Sequence, residues 1–205
     1  MNKTFKLLAV IVLLALTAAG CESEVEDLST DSSAVDRIRV GDLTFTLQIL
    51  NMQGEPQAVF QEGENFQFQF VIENNDKDGY QSSLPWYFPT ADNDFFALYQ
   101  KTQESGGKAY IGKFFRMGYN FRDFKLIAIP SNTTIVYAIP WLVEEDSVYI
   151  MPQYKGKQSE DIVSREYIKT ERSPSPVKAG EYFTGFTVQY SETDSVRLEA
   201  SFIVK

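Results

Sequence analysis

Histidine is absent from this chain of 205 residues, and cysteine occurs once, at Cys21. The absence of histidine removes Ser-His-Asp and Cys-His catalysis, because no imidazole is present to take and return a proton. It also removes the usual ligand sets for zinc, copper and haem iron, which rely on imidazole and thiolate. A single cysteine cannot close an internal disulfide, so burial of a core must stabilise the fold by itself. No glycine-rich phosphate loop occurs: Ser105-Gly106-Gly107-Lys108 lacks the P-loop spacing and reads as a hairpin turn. Basic residues are also scarce, 19 against 28 acids, for a net charge of −9. That balance excludes the basic footprint that phosphate backbones require, so no nucleic-acid partner is expected. It equally excludes a polybasic face for docking on anionic lipid. What survives is carboxylate chemistry, as in glycosidases, which needs two acids facing each other across a cleft. No spacing nominates such a pair, and the chain is read as a non-enzyme with a carboxylate glycosidase as the remotest alternative.

Long apolar runs are confined to the start. Lys3 and Lys6 precede Leu7 to Leu16, ten apolar residues, and the small residues Ala18, Ala19 and Gly20 follow. Ten residues rise about 15 Å as a helix, against the roughly 30 Å of a bilayer core. The pattern predicts a secretory signal peptide over residues 1–20. A helix of a soluble core would show a polar face, and this one has none.

The segment Thr17-Ala18-Ala19-Gly20-Cys21 resembles the lipobox of bacterial lipoproteins, with Ala18 at a position where that family usually has leucine. The resemblance implies cleavage before Cys21, diacylation of its thiol and acylation of the new amino group. Each buried methylene contributes about 0.8 kcal/mol, so two or three acyl chains hold a protein on a membrane almost permanently. Loss of Lys3 and Lys6 leaves 17 basic residues against 28 acids, a mature net charge of −11. Residues 22–36 hold six acids and little apolar surface. They are read, with the lipidated Cys21, as a disordered acidic tether over 21–36, reaching about 50 Å when extended. An acidic stretch behind the acylated cysteine is similar to the surface-export signal of Bacteroidota lipoproteins, here interrupted by Ser23 and Val25. The resemblance implies a place at the outer membrane, on the cell surface rather than the periplasmic face, with a solvated spacer on a periplasmic lipoprotein as the plainer alternative.

From residue 37 to 205 the hydrophobic period is two. Leu43, Phe45, Leu47 and Ile49 alternate with Thr44, Thr46 and Gln48; Phe66, Phe68, Phe70 and Ile72 alternate with Gln67, Gln69 and Glu73. Strict alternation marks half-buried strands. Further strands are predicted near 94–100, 110–117, 124–129 and 133–139. A C-terminal hairpin is predicted from Tyr182, Thr184, Phe186, Val188 and Tyr190, then Val196, Leu198, Ala200, Phe202 and Val204. Seven or eight strands without a convincing helix predict an all-β, antiparallel two-sheet sandwich. Residues 144–177 show no sustained period and are read as a long excursion, with a short helix near 158–168.

The runs "EGENFQFQFVIEN", "IPSNTTIVYAIPWL" and "KAGEYFTGFTV" resemble landmarks of small immunoglobulin-like domains in bacterial envelope proteins. The first two are shared with proteinase-inhibitor domains of the BsuPI type. The resemblance implies an immunoglobulin-like sandwich and, as an alternative function, peptidase inhibition.

Three candidate sites emerge. Asn74, Asp76 and Asp78 stand at alternate positions before Gly79, like the start of an EF-hand loop, and would form a low-affinity calcium site. Position twelve is Pro85 rather than glutamate, and the plainer reading is an Asx-rich connection. Trp86, Tyr87 and Phe88, between Pro85 and Pro89, form an aromatic cluster suited to stacking on a glycan or anchoring a protein ligand. The alternative is that Trp86 and Phe88 cap the core, as Trp141 is expected to do. Asp146-Ser147-Val148 and Asp194-Ser195-Val196 resemble the acceptor tripeptide of Bacteroidota O-glycosylation at Ser147 and Ser195. The reading overall is a lipid-anchored binding or adhesion module of the cell envelope, without a resident cofactor.

Overall fold

A computed structural model describes residues 25–28, 32–77, 82–86, 94–104, 106–116, 125–142, 147–150, 153–155, 166–170, 176–191 and 193–205. Residues 1–20, read above as a signal peptide, and Cys21 lie outside the described residues. In chain order the strands are β1 (Val25–Asp27), β2 (Val35–Val40), β3 (Leu43–Leu50), β4 (Val59–Phe60), β5 (Gln67–Asn74), β6 (Ser82–Trp86), β7 (Leu98–Lys101) and β8 (Lys108–Gly112). They continue as β9 (Phe114–Arg116), β10 (Lys125–Ile129), β11 (Thr133–Pro140), β12 (Ser147–Ile150), β13 (Gln153–Lys155), β14 (Glu166–Thr170), β15 (Gly180–Gln189) and β16 (Ser195–Val204). No helix occurs among the described residues.

Two sheets carry the body. One has six strands in the order β1-β2-β3-β5-β11-β13, and the other five in the order β4-β16-β15-β7-β8. Among the described residues all strand pairings are antiparallel except β16 with β4. Smaller sheets join β10 to β6 and β12-β14-β9.

The alternation read in the sequence sets the inner faces. Phe45, Leu47 and Ile49 of β3, Phe68, Phe70 and Ile72 of β5, and Leu198, Ala200 and Phe202 of β16 are all buried, as are Tyr182 and Phe186 of β15. Phe70 lies at the centre. It stacks near Phe45 and Tyr137, with ring centroids 6.4 and 6.2 Å away, and meets Phe95 and Phe186 edge-on at 6.0 and 5.0 Å. A second cluster joins the sheets around Phe66, which stands 4.7 Å from Phe202 and stacks on Trp141 at 5.9 Å. Trp141 is buried, as expected from the sequence.

The outer face of β3 is covered as well. Thr44 and Thr46 are buried beneath an ion pair in which Arg37 Nη2 of β2 reaches Glu73 Oε2 of β5 at 2.9 Å. Two small side chains on the middle strand let the long side chains of the flanking strands meet above them. The pair is partly solvated, so its own contribution is about 0–1 kcal/mol.

The sheets are also tied at one edge. Ser201 N–H donates to Ser33 O at 2.7 Å, and Glu199 N–H donates to Asp36 Oδ2 at 2.6 Å. The start of β2 thereby covers the edge of β16 that β4 leaves open. Covering an edge in this way removes a template for pairing with another chain.

Four sequence expectations are corrected. Of the tether expected over 21–36, residues 25–28 and 32–36 are folded: β1 pairs with β2, Leu28 N–H donates to Arg37 O at 2.7 Å, and Ala34 is fully buried, while the remainder lies outside the described residues. Composition missed this because the chain's own acids flank an edge strand, whose stability comes from backbone pairing. The strand expected at 94–100 begins only at Leu98. Phe95 and Phe96 are adjacent and both buried, and a strand would send one of them outward. Phe96 instead takes φ 53°, a left-handed conformation that turns both rings into the core. Of the run 110–117, residues 110–112 end β8 and 114–116 form β9, strands of two different sheets divided at Lys113, and residue 117 lies outside the described residues. Of the helix expected at 158–168, residues 166–168 belong to β14, paired with β12 and β9, and the remainder lies outside the described residues.

Candidate functional site

The loop expected to bind calcium is first a turn. Asn74 ends β5 with its side chain 2 % exposed; Nδ2 donates to Ile129 O at 2.9 Å, and Oδ1 accepts from Asp76 N–H at 3.0 Å. These bonds tie β5 to the end of β10 and close an Asx turn, the plainer of the two readings. Asp76 is also buried, and Asp78 lies outside the described residues. Among the described residues no group of three or more His, Cys, Asp or Glu side chains is placed to hold a metal ion.

Of the aromatic cluster, Trp86 closes β6, its backbone opposite Lys125 of β10. Tyr87 and Phe88 lie outside the described residues. Ser195 is exposed and opens β16 just beyond a tight turn. In that turn Ser191 Oγ accepts from Asp194 N–H at 2.9 Å and donates to Asp194 Oδ2 at 2.7 Å. Ser147 opens β12 opposite Lys169, in a strand rather than the turn expected.

The described surface carries a different grouping, on the outer face of the five-stranded sheet. Register places Ser201, Phe183, Tyr99 and Tyr110 in one row across β16, β15, β7 and β8. The adjoining row holds Val59, Ile203 and Glu181. Tyr110 is 50 % exposed, Val59 41 % and Ile203 40 %, so three of the five exposed large hydrophobic residues described share these two rows. Phe183 and Tyr99 are half-buried, their rings 5.4 Å apart and 20° from parallel; Tyr99 and Tyr110 follow at 5.7 Å. Cross-strand aromatic pairs contribute roughly 0.2–1 kcal/mol each, so the ladder stiffens the sheet edge as well as presenting apolar surface.

Fixed charges rim this face in balance. Lys108 Nζ lies 4.3 Å from the Tyr99 ring centre. Lys101 approaches Glu181 at 3.9 Å, and Arg197 approaches Glu199 at 3.4 Å. Tyr99 Oη donates to Asp94 Oδ1 at 2.9 Å. Partial burial, and secondly this bond to Asp94, push the phenol up to about 12 from its ordinary value of 10.0. Gly185 sits in the next row, where a Cβ would lie 2.7 Å from Leu198 O and 3.2 Å from the Arg197 guanidinium. A side chain has no room there, and Arg197 occupies the space instead.

Sequence reading passed over this face because its residues sit in the polar phase of their strands. The readable signal was Phe183, an aromatic in register with Gly185, Thr187 and Gln189. Tyr99 and Tyr110 give no such signal, because only pairing brings β7, β8 and β15 together. The arrangement offers apolar and aromatic contact with charged neighbours, a means of adhering to another molecule. Comparison with protein-family models, curated proteins and solved structures finds no match to this chain.

Proposed function

We propose that the chain is a lipid-anchored binding or adhesion module of the cell envelope, held by an acylated Cys21 and working without catalysis. In this reading the sandwich is immunoglobulin-like and sits on the outer membrane of a Gram-negative cell, toward the surface. The observation that supports binding is the gathering of Val59, Tyr110 and Ile203 beside Phe183 and Tyr99 on one sheet face. Contiguous exposed apolar surface is uncommon on soluble domains and marks contact sites. The ligand class is a glycan or a protein, met by aromatic contact with polar bonds from the charged rim.

Two measurements test the two halves. Cells expressing the full chain should incorporate an alkynyl palmitate into it, and Cys21→Ser should abolish the label; an unlabelled wild-type chain refutes the anchor. Arrays of polysaccharides and surface glycoproteins, probed with the soluble domain, should show binding that a Tyr110→Ala, Ile203→Ser double variant loses while keeping its β-sheet circular dichroism. Binding undiminished in that variant moves the site elsewhere.

A further inference from the structure

We infer that β1 fixes which end of the sandwich meets the membrane, so that the body rests on the lipid headgroups by the end carrying the β2–β3 hairpin. This rests on the reading of Cys21 as the acylated residue. Only residues 22–24 separate that cysteine from Val25, where β1 begins. Four Cα–Cα steps span at most about 14 Å, a small fraction of the reach of a free acidic tether. Beyond that point the chain is not free, since β1 pairs residue by residue with β2: Val25 with Val40, Glu26 with Arg39, Asp27 with Ile38.

The register says where the short leash emerges. Val40 is the last residue of β2, so Val25 lies beside the hairpin at Gly41 and Asp42. Asn75 N–H donates to Asp42 O at 2.8 Å, and Leu43 and Thr133 both pair with Asn74, which brings residues 74–77 and 131–132 to the same end. In the other sheet β16 runs antiparallel to β2, with Glu199 opposite Asp36 and Ser201 opposite Ser33. The β15–β16 turn at 191–194 therefore falls at this end too.

The chemistry of this end suits contact with headgroups rather than insertion. Among the described residues, its exposed side chains include the polar Asp42, Asn75, Lys77, Asn132, Thr193 and Asp194. Val25 is the one exposed large hydrophobic residue described there. Met52, Val59 and Ile203 lie toward the opposite end, with the 51–57 loop and the C-terminus. An eight-residue strand such as β3 is about 26 Å long, so the apolar rows are held roughly that far from the lipid. A membrane foot on this end presents them outward.

The test uses the full lipidated chain, reconstituted on vesicles of phosphatidylethanolamine and phosphatidylglycerol that carry a headgroup-attached energy acceptor. Because acylation consumes Cys21, a new cysteine accepts a fluorophore selectively: Asp42→Cys at the hairpin end, or Gln53→Cys at the opposite end. The hairpin label should lose most of its emission to the acceptor, while the Gln53→Cys label keeps most of its own. A flexible glycine-serine insert between residues 24 and 25 should erase the difference without detaching the protein. Equal transfer from both labels in the uninserted chain overturns the orientation while leaving the anchor intact. Failure of the chain to co-float with the vesicles overturns the anchor and the orientation with it.

Discussion

Tyr99 shows how one side chain couples the surface to stability. Its phenol is held protonated by partial burial and by its bond to Asp94, with a folded value of about 12 against 10.0. The folded state therefore keeps this proton after the unfolded chain has released it. The stabilisation is intact below pH 10, and it declines as pH rises through 10 toward about 12. Burial raises the Tyr182 phenol as well, so ultraviolet titration should show late phenols, of which Tyr99→Phe deletes one, and that variant should lose less stability across this window than the parent. Thr184 makes the complementary point in the core. It is fully buried between Tyr182 and Phe186, and its Oγ1 has no hydrogen-bond partner among the described residues. An unpartnered buried hydroxyl costs about 1–3 kcal/mol, whereas valine fills nearly the same space without one. Thr184→Val is expected to raise the urea midpoint with an unchanged slope; a lower midpoint would mean the hydroxyl is satisfied.

Among the elements, legibility followed the number of faces a strand has to satisfy. β3, β5, β11, β15 and β16 read correctly because each turns one apolar face into the core, even where the polar face is covered too, as in β3, and an apolar face writes itself as a period of two. The elements that misled are those governed by pairing or by sterics. β1 is three exposed residues, Val-Glu-Asp, held by backbone bonds to β2, and no side-chain pattern reports such a strand. At Phe95 and Phe96 the demand to bury two adjacent rings overrides strand geometry and forces a left-handed residue. β8 and β9 are contiguous in composition but take partners in different sheets, a choice made by distant strands. The candidate face had the same fate. Phe183 is visible as an aromatic out of phase, yet its neighbours Tyr99 and Tyr110 come from strands more than seventy residues earlier.

Over the whole molecule, stability rests on one aromatic-rich interior without a disulfide. Phe70 touches rings from both sheets, and its removal would leave a cavity that this packed surround cannot fill. Phe70→Ala should lower the unfolding free energy by about 3–5 kcal/mol, measured by urea denaturation. A loss below 1 kcal/mol would show that the interior collapses readily around the vacancy. The same interior explains how the domain manages its edges. β4 and the start of β2 share the border of β16, and β1 covers the rest of β2, so each short strand shields part of a neighbour.

The sequence by itself determined the all-β class, the inner faces of the long strands, the exclusion of histidine chemistry, and the expectation of an anchor at Cys21. Those follow from local facts: periodicity, residue type and a motif read along the chain. Tertiary structure alone decided that β1 pairs with β2 from Val25, which exposed aromatics share a face, and which polar residues of the Asx-rich loop are spent on a turn. Register and sheet order are set by contacts between segments far apart in the chain, and no stretch of sequence contains both partners.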